Sequence, residues 1–308
     1  MGALRLLTGR APLFMLASVA VGLAAPPLAA GLRPYVIPLA SVMVLTAVLR
    51  IEPARLRDAL RRPGHILLVC GALLVGFPAM VALIAPRLGA EDWLTTGLVL
   101  AAAAPPISSA AAFAILVRID AALVTAISLP ATLLAPLTAW GVTSALPGLA
   151  AGVDVTALAL RLGALILGAF GLAFAIRRLA GDAAVARAAL PLDAAMVVFV
   201  SLIGIGVMHE VGLALRSDLA AWLTIFLATW ALGLATCFAA VALFWRAGRD
   251  RALAAGLCGA VKNMAIMVAA TLGAVEPRIA LVVITAQLPI YTAPLILRPA
   301  FAALARAR

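Results

Sequence analysis

One side chain in this sequence stands out as a carrier of chemistry. Lys262 is the sole lysine among 23 basic residues. It sits in the apolar run Arg251 to Gly273, RALAAGLCGAVKNMAIMVAATLG, close to midway between Arg251 on one side and Glu276 with Arg278 on the other. At the centre of a membrane helix an ammonium costs about 2.5–3.5 kcal/mol on the insertion scale, so an intramembrane lysine marks a functional site by default. A lysine near a helix end would instead snorkel to the interface, and the central position of Lys262 argues against that. Gly256, Gly259 and Asn263 around it read as a weakened helix with polar groups, the kind of place where a carrier binds its cargo.

A second constellation is APPISSAAAF. Pro105 and Pro106 have no backbone N–H, so a helix breaks just before them. Ser108 and Ser109 then open a second half-helix, whose free N–H groups and positive dipole end favour an anion. The plainer alternative is a proline kink with serines bonding back to their own helix. Thr125, Ser128 and Thr132 share roughly one helix face, in packing or lining a cavity. Thr285, Gln287 and Thr292 accompany Pro289 and Pro294; Gln287 at depth needs a partner, which a substrate or another helix could supply. His209 and Glu210 read as an interfacial pair at a loop edge, and Asp193 as the structural partner of a residue such as Arg187. No nucleotide-binding loop, zinc signature or nucleophile elbow is present. ATP-driven transport within this chain and enzymatic hydrolysis therefore have no support, and no cofactor or metal site is expected.

The elements that must position these residues are membrane spans. The chain of 308 residues is 66% hydrophobic and 11% charged, where soluble domains are about half apolar and a quarter charged. A span needs about 20 residues, so about ten with short loops use the length. The expected spans are Pro12 to Ala30, Tyr35 to Leu49, His65 to Ala85, Trp93 to Val117, Ala121 to Trp140, Val155 to Ile176, Leu190 to Met208, Leu219 to Trp245, Arg251 to Gly273 and Ile279 to Leu297. The first, with its APPLAAG end, also fits a signal peptide, although Pro26 and Pro27 more simply end a helix. RIEPARLRDALRRPGH after span two reads as an interfacial amphipathic helix. Cys70, Cys237 and Cys258 fall inside spans, with no disulfide or metal spacing.

The net charge of +11 follows topology rather than a nucleic-acid surface. With both termini cytoplasmic, seventeen arginines fall inside and only Arg33, Arg87, Arg216 and Arg278 outside, a strong positive-inside bias. The Ala-, Leu- and Arg-rich composition points to a GC-rich bacterial genome, hence an inner membrane. Division near residue 150 leaves five spans on each side. Five is odd, so the halves, about 11–145 and 152–302, insert as inverted repeats, each with its fourth span interrupted. The chain is read as one membrane domain, 1–308.

PPISSAAAFAILVRIDAALVTAISLPATLLAPLT resembles the crossover, arginine turn and "TLLxPL" helix end of the bile acid:sodium symporter superfamily. GAVKNMAIMVAATL resembles that family's "GxQN" or "GxRN" segment. The resemblance covers nearly the whole chain in span order, and its specific matches lie in these two stretches. It implies an all-α fold of ten spans in which helices four and nine are discontinuous and cross at the midplane, with a core bundle moving against a panel of other spans.

The departures bear on coupling. Where sodium-using members have Ser-Asn this chain has Ala110 and Ala111. Cys258 stands for their glutamate and Lys262 for their glutamine, and the span-five hydroxyls are kept only in part, with Val124 and Ser128. Sodium wants oxygen ligands and a carboxylate; beside an ammonium it meets repulsion of about 4 kcal/mol at 4 Å with an effective dielectric near 20. The expectation is a secondary carrier of a small organic anion with Lys262 as fixed counter-charge or proton carrier, independent of sodium. The alternatives are a sodium symporter as in the family, an exporter of an inorganic oxyacid such as arsenite, and a non-transporting receptor or assembly protein. Related arsenite exporters have a cysteine where this chain has Ser108 and Ser109, and the receptor reading lacks a sensor domain or long tail.

Overall fold

In a computed structural model, residues 2–51, 63–107, 110–145 and 152–306 are described. The interfacial helix expected after Arg50, and Ser108 with Ser109, lie outside them. Among the described residues the chain is almost wholly helical, with no strand and two isolated antiparallel bridges. In order the helices are α1 (Gly2–Gly9), α2 (Ala11–Ala24), α3 (Pro26–Leu32), α4 (Val36–Leu49), α5 (Pro63–Gly71), α6 (Phe77–Ile84), α7 (Asp92–Ala103), α8 (Ala110–Leu116) and α9 (Ala121–Ala145). There follow α10 (Val155–Ala180), α11 (Asp182–Arg187), α12 (Ala189–Ser217), α13 (Leu219–Phe244), α14 (Arg249–Ala260), α15 (Met264–Thr271), α16 (Pro277–Thr285) and α17 (Gln287–Arg306).

Among the described residues six stretches are long and apolar enough to cross a membrane unaided: Pro26–Leu49, Pro63–Leu88, Ala121–Ala145, Val155–Ala180, Ala189–Ser217 and Leu219–Ala247. A seventh, Pro277–Ala293 with Ile296–Leu304, is bent by 59°. Large apolar side chains such as Leu160, Phe174 and Leu227 are exposed on these helices, as they are where the neighbour is lipid rather than water. The protein is thus a multi-pass helical membrane protein. The other three expected spans are shorter or interrupted helices, so length alone does not carry the count of ten.

Two boundaries move. The first span ends at Ala24, not Ala30, because Pro26 and Pro27 open the next helix at its first positions, where a missing N–H costs nothing. Span seven runs on to Ser217 as part of α12, which places His209 and Glu210 inside a helix rather than at a loop edge. Glu210 is tolerated there because Arg33 pairs with it at 2.6 Å. Asp193 pairs with Arg50 of the neighbouring α4 connection, at 2.6 and 3.2 Å, rather than with Arg187 of its own segment.

The helices cluster into two compact units, the described residues of Met1–Glu52 with Arg161–Leu223, and of Pro53–Leu160 with Thr224–Arg308. In the first, α12 is the hub for α1 to α4. Close approach comes from glycine: a β-carbon at Gly22 would lie 2.6 Å from Met208 Cβ, and one at Gly206 would lie 3.2 Å from the Leu32 carbonyl. Arg177 at the end of α10 donates to the carbonyls of Leu49 and Ile51, each at 2.7 Å, and reaches Asp182.

The second unit is built on α7, α9, α14 and α16. Leu94, Leu98, Ile225 and Val282 form one buried cluster, with Gly97 of α7 set directly against Val282 of α16. The second bridge of the fold, Val153 to Val275, joins the approach to α10 with the loop before α16 through Asp154 N to Ala274 O and Glu276 N to Gly152 O, both 2.8 Å.

Candidate functional site

The site forms in the second unit where two helices stop. Helix α7 ends at Ala103 because Ala104 is extended ahead of two prolines, φ −60° and ψ 140°, the geometry a following proline imposes. Helix α14 ends at Ala260, and Asn263 starts α15 by accepting from Ile266 N at 3.4 Å. The two breaks are paired with each other. Ile107 N donates to Val261 O at 2.9 Å and Asn263 N to Pro105 O at 2.6 Å, placing Pro106 opposite Lys262 in a single antiparallel bridge. Each break thereby satisfies polar groups that hydrocarbon would leave bare, which irregular backbone at membrane depth requires. The proline side needs fewer donors satisfied, since Pro105 and Pro106 have no N–H.

Lys262 is 6% exposed. Its ammonium donates to the carbonyl of Leu73 at 3.3 Å, and no ion pair to it is formed among the described residues. Leu73 lies in a π-helical turn, Ala72–Gly76, where Phe77 N–H bonds to Ala72 O. The carbonyl of Leu73 therefore loses its usual helical donor, and the next candidate, Pro78, has no N–H to give. The freed oxygen is what meets the lysine. Sequence reasoning missed this partner; its signal was the Gly71, Gly76 and Pro78 pattern in span three, since π turns often mark functional places.

The structure sorts the other expected residues. Pro105, Pro106, Lys262 and Asn263 come together at the crossing. Cys258 and Ser128 lie beside one another on neighbouring helices, sulfur to hydroxyl 3.7 Å. Ser128 donates to Val124 O, and Thr125 and Thr132 likewise bond back one turn within α9. Gln287 is buried, and its amide bonds Tyr291 of its own helix rather than another helix, leaving its Oε1 without a partner.

Gly256 and Gly259 do not weaken α14, which runs unbroken through both. They let it touch α13: a β-carbon at Gly259 would lie 2.8 Å from Thr236 O, and one at Gly256 2.4 Å from Val241 Cγ2. Thr236 seals the contact, its hydroxyl donating to Gly259 O at 3.0 Å. Beside the crossing is a cavity of about 20 Å³ bordered by Ala101, Thr229, Thr236, Gly259, Lys262 and Pro289. That is room for one water or a comparably small ion.

The described geometry defines a class: a multi-pass helical membrane protein with two interrupted helices paired at a buried lysine. Comparison with protein-family models and with curated proteins finds no match for the chain.

Proposed function

We propose that this protein is a secondary transporter of a small organic anion, working by alternating access in a bile acid:sodium symporter-like arrangement of ten spans. The observation that carries the reading is the mutual pairing of two broken helices at Pro106 and Lys262, with a single uncompensated ammonium at that point. Interrupted helices at matching places in two halves of a chain are the best pointer to a midplane transport site. The inverted repeat draws further support from the two units. Each takes its helices from both halves of the sequence, spans one and two with six and seven, and spans three to five with eight to ten. Lys262 supplies the positive charge for the anion, independently of sodium or with protons as the coupling ion. Both termini face the cytoplasm of a bacterial inner membrane by the arginine distribution.

Flux into proteoliposomes tests this. Uptake of a small carboxylate that persists without a sodium gradient, and that Lys262→Gln abolishes, is the expected result. Uptake that needs sodium and ignores pH would make this a sodium symporter, and full activity of Lys262→Gln would remove the lysine from the mechanism. Resistance to arsenite conferred on a sensitive host would instead favour the oxyacid exporter.

A further inference from the structure

We infer that the site takes an anion of one negative charge and that the protein works as an exchanger, swapping one such anion for another across the membrane; this rests on the transporter reading and specifies it. The ammonium of Lys262 has three N–H donors. One meets Leu73 O at 3.3 Å, and no other acceptor for it is formed among the described residues. The remaining need of the site is thus for acceptors at one positive charge.

A monovalent anion answers that need and leaves the site neutral. A dianion leaves one uncompensated negative charge in the same low-dielectric place, with no second cation there among the described residues. Burying charge is favourable only when it is matched. The same argument acts on the empty protein. With Lys262 acting as the fixed counter-charge of the two roles proposed above, the empty site carries an unmatched ammonium through every closed intermediate, and that leg becomes the slow one. Expressed as a rate ratio, the insertion cost of a central charge slows the empty return by about a hundredfold. An anion waiting on the opposite side removes this cost, so transport proceeds by one-for-one replacement.

Two measurements on the full-length protein test the inference. The purified protein is heated in formate, acetate or lactate, and in oxalate or succinate, at constant ionic strength. The monoanions should raise the unfolding temperature of the native protein and of Lys262→Arg, but not of Lys262→Met, and the dianions should have no such effect. Proteoliposomes are then given the best-stabilising monoanion in labelled form outside, with or without the unlabelled salt inside. Preloading should speed entry of label by about a hundredfold.

Stabilisation by dianions above monoanions, by none of the five, or equally in Lys262→Met overturns the monoanion site. Entry indifferent to preloading, or driven by a sodium gradient, overturns exchange while leaving a transporter. Stabilisation with no entry of label under any condition overturns the transporter reading and leaves only the binding site.

Discussion

The contact between α13 and α14 gives a quantitative test of the crossing, because Lys262 is placed by the helix end that this contact holds. In Gly259→Ala the new β-carbon would lie 2.8 Å from the carbonyl oxygen of Thr236, where ordinary contact begins at 3.4 Å. The obstructing atom is backbone, so no rotamer relieves it, and the helices must part locally by the difference, 3.4 − 2.8 = 0.6 Å. Overpacking of this kind costs about 1–3 kcal/mol. Against it stands the gain of about 1 kcal/mol when a helix-interior glycine becomes alanine. The net expectation is a loss of about 0–2 kcal/mol. Gly163→Ala in α10 is the control, since a β-carbon there meets nothing within 4 Å and only the helix gain remains.

Cys70, Cys237 and Cys258 are all free and buried, so a thiol-reactive fluorophore reports unfolding directly on heating. With about 2 °C per kcal/mol for a chain of this size, Gly259→Ala should melt up to about 4 °C below the native protein and Gly163→Ala about 2 °C above it. If the two alanine variants melt together, α13 and α14 are not in backbone contact at Gly259, and the placement of Lys262 beside its cavity is wrong.

Two further expectations follow from the same features. Lys262→Met removes a buried charge with one charge-assisted bond and fills the space with an apolar chain, so in anion-free buffer it should melt higher by a few degrees while transport is lost, a trade typical of functional sites; a lower melting temperature would show the ammonium to be structural cement. Single cysteines at Arg87, Arg216 or Arg278 should react with a membrane-impermeant maleimide on intact cells, while those at Arg118, Arg178 or Arg187 should react only after permeabilisation, and a mixed pattern within either set would undo the arginine topology.

Much of the helical layout was legible because apolar runs and prolines act locally. Span eight begins at Leu219 and span six at Val155 as the hydrophobic pattern implies, and the interruption at Pro105 follows from the missing N–H alone. The break at Val261–Asn263 has no proline and was legible only through its polar residues. What stayed hidden was pairwise. Gly256 and Gly259 read as helix weakness because no sequence shows which neighbour lies against a glycine. The partner of Asp193 is Arg50, 143 residues away, and the acceptor for Lys262 is a backbone oxygen 189 residues away, identical in sequence terms to any other carbonyl.

Several contacts within each unit join the ends of expected spans. Arg33 meets Glu210, Arg50 meets Asp193, Arg278 stacks over Trp93, and the Val153 and Val275 loops join. Each pair unites residues that the arginine distribution puts on one face of the bilayer.

The ion pairs made by Asp193, near the start of α12, and by Glu210, two turns before its end, also act as a depth gauge. Asp193 and Glu210 are seventeen positions apart, which along a helix is about 25 Å, whereas typical hydrocarbon is about 30 Å thick. Tilt shortens the gap further when projected on the bilayer normal. Lipid beside this unit must therefore thin by several ångströms or tolerate paired charge just below the headgroups, each at fractions of a kcal/mol per ångström. On that spacing, long, saturated acyl chains would press on these two salt bridges before they disturbed any apolar contact.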